Sequence, residues 1–234
     1  MTESKLILAL DGMKLGRALE LAETIGPRLF AMKIHDLADI EGAKRACEML
    51  KRNGAPRVWV DYKLHDTPDT VRNRACALRD CGADILTVHV GDDGECIRAA
   101  RESGLIIYGV TVLTSTRDID LSGVYGENVS RSPLAKSRAY LAGEFGAHGV
   151  ICSSADVKRF KSYVGTGSIP SIWDKLEFIV PGTRLPGGDT HDQKNVTTPQ
   201  EAFSNGASKL VVGRDLTKAD DPETVLAAYE AARQ

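Results

Sequence analysis

Eight short runs of apolar and β-branched residues recur along the chain, and a stretch of helical character follows each one. They are LILALD (6–11), LFAMKI (29–34), RVWVDYK (57–63), ILTVHV (85–90), IIYGVTVLT (106–114), GVICSS (149–154), LEFIVPG (176–182) and KLVVGR (209–214). Nearly every position in these runs is apolar. A strand with one wet face alternates instead, so the pattern calls for strands buried on both faces, in a parallel sheet covered by helices. The intervening segments, such as IEGAKRACEMLKRNG, TVRNRACALRDCG and DPETVLAAYEAARQ, carry helical periodicity. Several begin at Asp, Ser or Thr, which satisfy free N–H groups, and several end at Gly, which accepts a left-handed turn. Eight strand–helix units fit a closed (β/α)8 TIM barrel, expected as one domain over residues 1–234. An open doubly wound sheet is the other home for such units. Its G-x-G-x-x-G fingerprint is missing after the first strand, where LALDGMKLG stands.

Composition narrows the possible partners. At 234 residues, 42% hydrophobic and 26% charged, the chain can bury a core without covalent staples. A formal net charge of -2 provides no field to draw in nucleic acid or an anionic membrane. The most basic stretch, VRNRACALRD (71–80), interleaves its charges with apolar residues at helical spacing, as a solvated helix face does. The five cysteines are scattered and form no C-x-x-C pair, which suggests neither a disulfide framework nor a zinc site. The apolar run in MTESKLILALDG is too short for a signal segment or a membrane span. A reduced, cytoplasmic protein is expected.

Chemistry in a parallel barrel collects at the C-terminal strand ends. Those ends carry Asp11, Lys33, Asp61 with Lys63, His89, Thr114 with Ser115, Ser153, Arg184, and Gly213 with Arg214. Alternation puts Asp61 and Lys63 on one face of their strand. If that face is the interior, the two converge with Lys33 of the neighbouring strand, and opposite charges keep all three ionised. Spacing does not place Asp66, which lies beyond the strand end just before Pro68. Thr67 reads as a turn residue and Thr70 as an N-cap.

At the eighth strand, Gly213 and Arg214 precede a short helical turn, a combination that binds anions, and Gln193 in a long preceding loop adds an amide. That loop, TRLPGGDTHDQKNV, and STRDIDLSGVYGENVSR after the fifth strand are longer than a barrel needs, as binding loops or lids are. The His-Asp pairs at 35–36, 65–66 and 191–192 do not read as a metal centre, because adjacent strand residues point apart. A Schiff-base lysine needs a neutral amine, which neighbouring carboxylates oppose. Neither a metal nor a cofactor is expected.

With these residues in view, the chain resembles the bacterial type of the orotidine 5′-monophosphate decarboxylase family nearly end to end. The resemblance rests on LALD (8–11), Lys33 in AMKI, DYKLHDTPDT (61–70), TVH (87–89), TVLTS (111–115), GVICS (149–153), PGTR (181–184), DQ (192–193) and VVGRDLTKADDP (211–222). The D-x-K-x-x-D element alone is shared with sister barrels that make hexulose phosphates or decarboxylate keto-gulonate phosphate; the combination is more specific.

The resemblance implies a homodimer acting on a nucleotide. Asp61, Lys63, Lys33 and Asp66 would form an alternating charged array, with Asp66 supplied by the other subunit. Asp11 and Lys33 would hold ribose hydroxyls, and Asp66, Thr67 and Thr70 would complete the partner's site. Thr114 and Ser115 would face the pyrimidine, while Arg184, Gln193, Gly213 and Arg214 would line the phosphate end. Thr67, His35 and Thr183 depart from the family's usual residues and leave the charged set intact. Two other readings stand beside it: a metal-dependent hexulose-phosphate aldolase, and a non-catalytic nucleotide sensor, which has no use for Asp61 beside an anionic ligand.

Overall fold

Each apolar run becomes a strand. A computed structural model describes residues 3–91, 93–113, 115–126, 129–162, 170–186 and 197–232. Its strands are β1 (Leu6–Ala9), β2 (Ala31–Ile34), β3 (Val58–Leu64), β4 (Ile85–His89), β5 (Ile106–Val110), β6 (Gly149–Ile151), β7 (Glu177–Pro181) and β8 (Lys209–Val212). All are parallel and pair in sequence order, and β8 pairs back onto β1 to close the barrel. The chain therefore folds as the (β/α)8 barrel its sequence implies.

Between the strands lie α1 (Leu15–Ile25), α2 (Asp36–Glu41), α3 (Ala43–Arg52), α4 (Pro68–Asp80), α5 (Glu95–Arg101), α6 (Asp118–Tyr125), α7 (Arg131–Glu144), α8 (Ser154–Lys161), α9 (Pro170–Lys175) and α10 (Pro199–Ser204), and α11 (Arg214–Thr217) and α12 (Pro222–Ala231) follow the last strand. Three ends bear out the capping chemistry. Ser153 and Thr198 each accept a hydrogen bond from a backbone N–H three residues on, and Asp221 accepts from Glu223 and Thr224.

Three local expectations change. The segment around IEGAKRACEMLKRNG is two helices, not one, because Gly42 at φ 79 turns the chain between α2 and α3. Thr70 does not cap α4. That helix starts at Pro68, whose fixed φ suits a first helical position, so Thr70 lies in the first turn with its hydroxyl 3.0 Å from that of Thr67. The long segment after β5 contains a helix of its own, α6, which holds Ile119, Val124 and Tyr125 exposed.

Register decides which side chains face inward. Ile7 lies beside Ala31 and Val211, Lys33 beside Trp59, and Trp59 beside Ile85. Side-chain direction alternates, so these residues and their neighbours two positions on share the interior. Ile7, Ala31, Trp59, Ile85, Tyr108 and Ile179 accordingly form one buried cluster. The alternate set, including Leu8, Met32, Val60 and Leu86, packs outward with the helices in a second, larger cluster. The N-terminal end of the interior is closed by the Lys209–Glu177 ion pair, by Tyr108 donating to Glu177 Oε2 at 3.1 Å, and by Lys209 lying 4.2 Å from the centre of the Phe30 ring. The charges left for chemistry sit at the other end.

Candidate active site

The strand ends at that face surround a cavity of about 400 Å³. Asp11, Lys33, Asp61 and Lys63 line one part of it; Arg184, Gly213 and Arg214 line another, and Val110, Val112, Leu113, Ile151 and Pro181 supply an apolar portion.

Asp61 is the hub of the charged part. Its side chain is only 7% exposed, and its Oδ2 lies 2.8 Å from Lys63 Nζ and 3.1 Å from Lys33 Nζ. Lys33 also reaches both oxygens of Asp11, at 2.7 and 3.0 Å. Adjacency explains the contact: Ala9 is in register with Lys33, and Asp11 follows Ala9 by two residues. Asp61 Oδ1 accepts a 2.7 Å hydrogen bond from the Thr87 hydroxyl.

Burial would raise the Asp61 carboxyl, but the ammonium groups of Lys33 and Lys63 outweigh it and hold the group below its ordinary 3.8. Burial would likewise lower Lys33, and the Asp61 and Asp11 carboxylates outweigh that and hold it above 10.5. The stability contributed by Asp61 is thus present above the ordinary carboxylate range and lost as pH falls through its folded value. That contributed by Lys33 is present below 10.5 and lost as pH rises through its folded value. At neutral pH both groups are charged.

Alternation alone does not bring Lys63 to this point. At φ 49, Lys63 is the one non-glycine residue with positive φ among the described residues. The β3–β4 register also shifts between Val60 and Leu64. A lysine in left-handed conformation costs about 1–2 kcal/mol. The bulge re-aims the side chain, leaving it 34% exposed at the barrel mouth while Asp61 stays buried. His89, at the end of β4, is held below its ordinary 6.5 by burial and then by His65, which keeps it neutral near pH 7.

Arg184 is buried just past β7, where a bridge between Thr183 and Thr197 extends the strand. Its Nη1 donates to the Thr183 carbonyl at 2.7 Å, and its Nε lies 3.2 Å from Asp215 Oδ1. Asp215 is held in turn by the Tyr229 hydroxyl at 2.8 Å. The Arg184–Asp215 contact is ionic without hydrogen-bond alignment, so buried Nε keeps an unused donor among the described residues.

The other sequence-predicted residues lie elsewhere. Asp66, Thr67 and Thr70 do not line the cavity: Asp66 is exposed and accepts the Thr67 N–H at 2.7 Å. Ser115 is exposed and lines a neighbouring cavity with Arg117 and Arg131. Thr114 and Gln193 lie outside the described residues. Among the described residues no group of three or more His, Cys, Asp or Glu side chains is placed to hold a metal ion. Both cavity carboxylates, Asp11 and Asp61, instead have an ammonium against their oxygens. Sequence reading missed Thr87 and Trp59. The signal was a threonine between Ile85 and His89 on the inward face of β4.

A family model described as the orotidine 5′-phosphate decarboxylase / HUMPS family matches residues 4–229. The chain belongs to that family. Among its relatives, the orotidine 5′-phosphate decarboxylase of Afipia carboxidovorans is 34% identical over 230 residues, covering 97% of this chain and 93% of that protein. The enzyme of the same name from Escherichia coli O81 is 31% identical, covering 100% of this chain and 94% of that one. The crystal structure of orotidine 5′-phosphate decarboxylase from Lactobacillus acidophilus superposes with a TM-score of 0.80 at 27% identity, over 99% of this chain and all of that one.

Proposed function

We propose that this chain is an orotidine 5′-phosphate decarboxylase, a carboxy-lyase that converts orotidine 5′-monophosphate to uridine 5′-monophosphate and CO2 in pyrimidine nucleotide synthesis without a cofactor. The observation that carries the reading is Lys63: an ammonium fixed 2.8 Å from a buried carboxylate at the mouth of the barrel. Cleavage of the bond between the ring and its carboxylate leaves the electron pair on a ring carbon with no adjacent carbonyl to accept it. A preplaced positive charge stabilises that carbanion without reorganisation, and the same ammonium delivers the proton that completes the product. Lys63 then recovers a proton from solvent. Asp61 aims Lys63, and lies where the departing carboxylate must sit. Asp11 and Lys33 hold the ribose hydroxyls.

Arg184, Gly213 and Arg214 bind the phosphate, joined by Gln193, and Thr114 and Ser115 face the pyrimidine. Binding energy gathered at the phosphate holds the ring against Lys63. In this reading the enzyme is a cytoplasmic homodimer of single-domain subunits. Exposed Asp66, with Thr67 and Thr70, enters the partner's site, where Asp66 completes the charged array. That arrangement accounts for a carboxylate that turns away from the cavity of its own chain.

The sister aldolase chemistry needs a divalent cation to hold an enediolate. Ammonium groups against both cavity carboxylates disfavour that use of the site. Following the ultraviolet absorbance of orotidylate with purified protein separates the readings. Orotidylate is consumed at the same rate with and without EDTA, and the nucleoside orotidine far more slowly. Loss of the reaction on chelation, or no consumption of orotidylate, rejects the proposal.

A further inference from the structure

The two oxygens of Asp61 have separate tasks. Oδ2 meets Lys33 at 3.1 Å and Lys63 at 2.8 Å, whereas Oδ1 accepts the Thr87 hydroxyl, at 2.7 Å. A hydroxyl has one proton to give, and Thr87 is not free to direct it elsewhere. The Trp59 indole N–H, which can only donate, points at Thr87 Oγ1 from 2.7 Å. The indole itself is fixed, meeting the Tyr108 ring edge-to-face at 5.3 Å, and Tyr108 is tied to Glu177 at the closed end of the barrel. Trp59, Thr87 and Tyr108 are all 1% exposed or less.

We infer that Thr87, with Trp59 behind it, is a positioning residue that fixes the Asp61 carboxylate so that Oδ2 alone is presented to Lys33 and Lys63. Without the hydroxyl, the carboxylate is free to turn about its last bond and divide its two oxygens between the lysines. Lys63 then loses the single aim that the bulge in β3 gives it. The inference rests on the proposed decarboxylase reading, since it matters to catalysis only if Lys63 meets the reacting carbon.

The charged and titratable groups facing Asp61 are Lys33 from β2, Lys63 from its own strand and His89 from β4, with Asp11 beyond Lys33; Thr87 of β4 adds a neutral donor. The two lysines remain in a Thr87→Val variant, so a change in Asp61 titration reports the missing hydroxyl. Thr87→Val is expected to lower kcat for orotidylate about 10- to 100-fold, the scale of a lost hydrogen bond to a charged group, with KM changed less than about threefold. The acid limb of the kcat–pH profile moves to higher pH, because the carboxylate loses a donor to its charged form. Thr87→Ser restores both. Trp59→Phe moves both in the same direction by less, and adds little in the Thr87→Val background.

A carbon-13 NMR titration of the Asp61 carboxyl gives the activity-independent arm, with Asp61 titrating at higher pH in Thr87→Val than in wild type. Wild-type protein that leaves orotidylate untouched defeats the decarboxylase reading, and the NMR titration still judges the positioning. Unchanged Asp61 titration and kcat in Thr87→Val, or a Thr87→Ser variant as impaired as Thr87→Val, overturns the inference. If Thr87→Val does not fold, Trp59→Phe decides: an acid limb and an Asp61 titration identical to wild type overturn it.

Discussion

Lys63→Ala protein is expected to lose orotidylate turnover by about 10⁵-fold in kcat while still binding uridine 5′-monophosphate within about tenfold of wild type. The magnitude combines two functions. Removing a preplaced charge at the point of developing anion costs about 10²–10³, and removing the general acid costs a further 10²–10⁴ or so. Ground-state nucleotide binding is spared because its anchors lie elsewhere in the cavity. The fold is spared too: Lys63 is 34% exposed, Asp61 keeps Lys33 as a buried partner, and alanine relieves a longer side chain of its left-handed backbone only in part. Single-turnover kinetics and product titration separate the two quantities. Wild-type-like turnover removes Lys63 from the chemistry, and an equal loss in product binding makes it a binding residue.

In the proposed dimer, Asp66→Asn protein is expected to be inactive alone and to regain activity when mixed with Lys63→Ala protein under conditions that exchange subunits. In a two-fold symmetric dimer with shared sites, a mixed pair carries one site with both residues intact and one with both replaced. Random pairing makes half the dimers mixed, so about a quarter of all sites recover. If each site were built from one chain, every site would keep its lesion and mixing would recover nothing. Asp66 is exposed on its own subunit, so the single variant should melt within about 0.5 kcal/mol of wild type. Activity assays across mixing ratios give the result, and a single-site dependence on the ratio contradicts the shared arrangement.

How far the sequence anticipates this site depends on which physical rule governs each residue. The eight strands were legible because burial on both faces leaves an unmistakable apolar run, and closure of the barrel followed from their number. The meeting of Asp61 with Lys33 was legible from side-chain alternation together with adjacency of β2 and β3. Lys63 was predicted on the right face for an incomplete reason, since its place depends on a left-handed residue and a register shift that no local pattern announces. Thr87 was passed over because a threonine in a β-branched run is an ordinary strand former. Only the folded structure shows its hydroxyl 2.7 Å from Asp61 Oδ1. Asp66 shows the reverse case. Its own chain offers no reason for its position, and the reading of its role comes from the family resemblance.

The energetic logic of the site is that a buried carboxylate, costly alone, is held charged by two ammonium groups and one hydroxyl. It therefore holds the Lys63 ammonium at one place in the barrel mouth before any substrate arrives. A site built this way should prefer a ligand that already carries negative charge where CO2 leaves.

Calorimetric binding of two ligands reports on that preference: uridine 5′-monophosphate, and a uridine nucleotide bearing an oxyanion on the same ring carbon. Wild-type protein is expected to bind the anionic ligand at least about 10³-fold more tightly, and Lys63→Ala protein to lose most of that difference. Equal affinity for the two ligands in wild type contradicts the account.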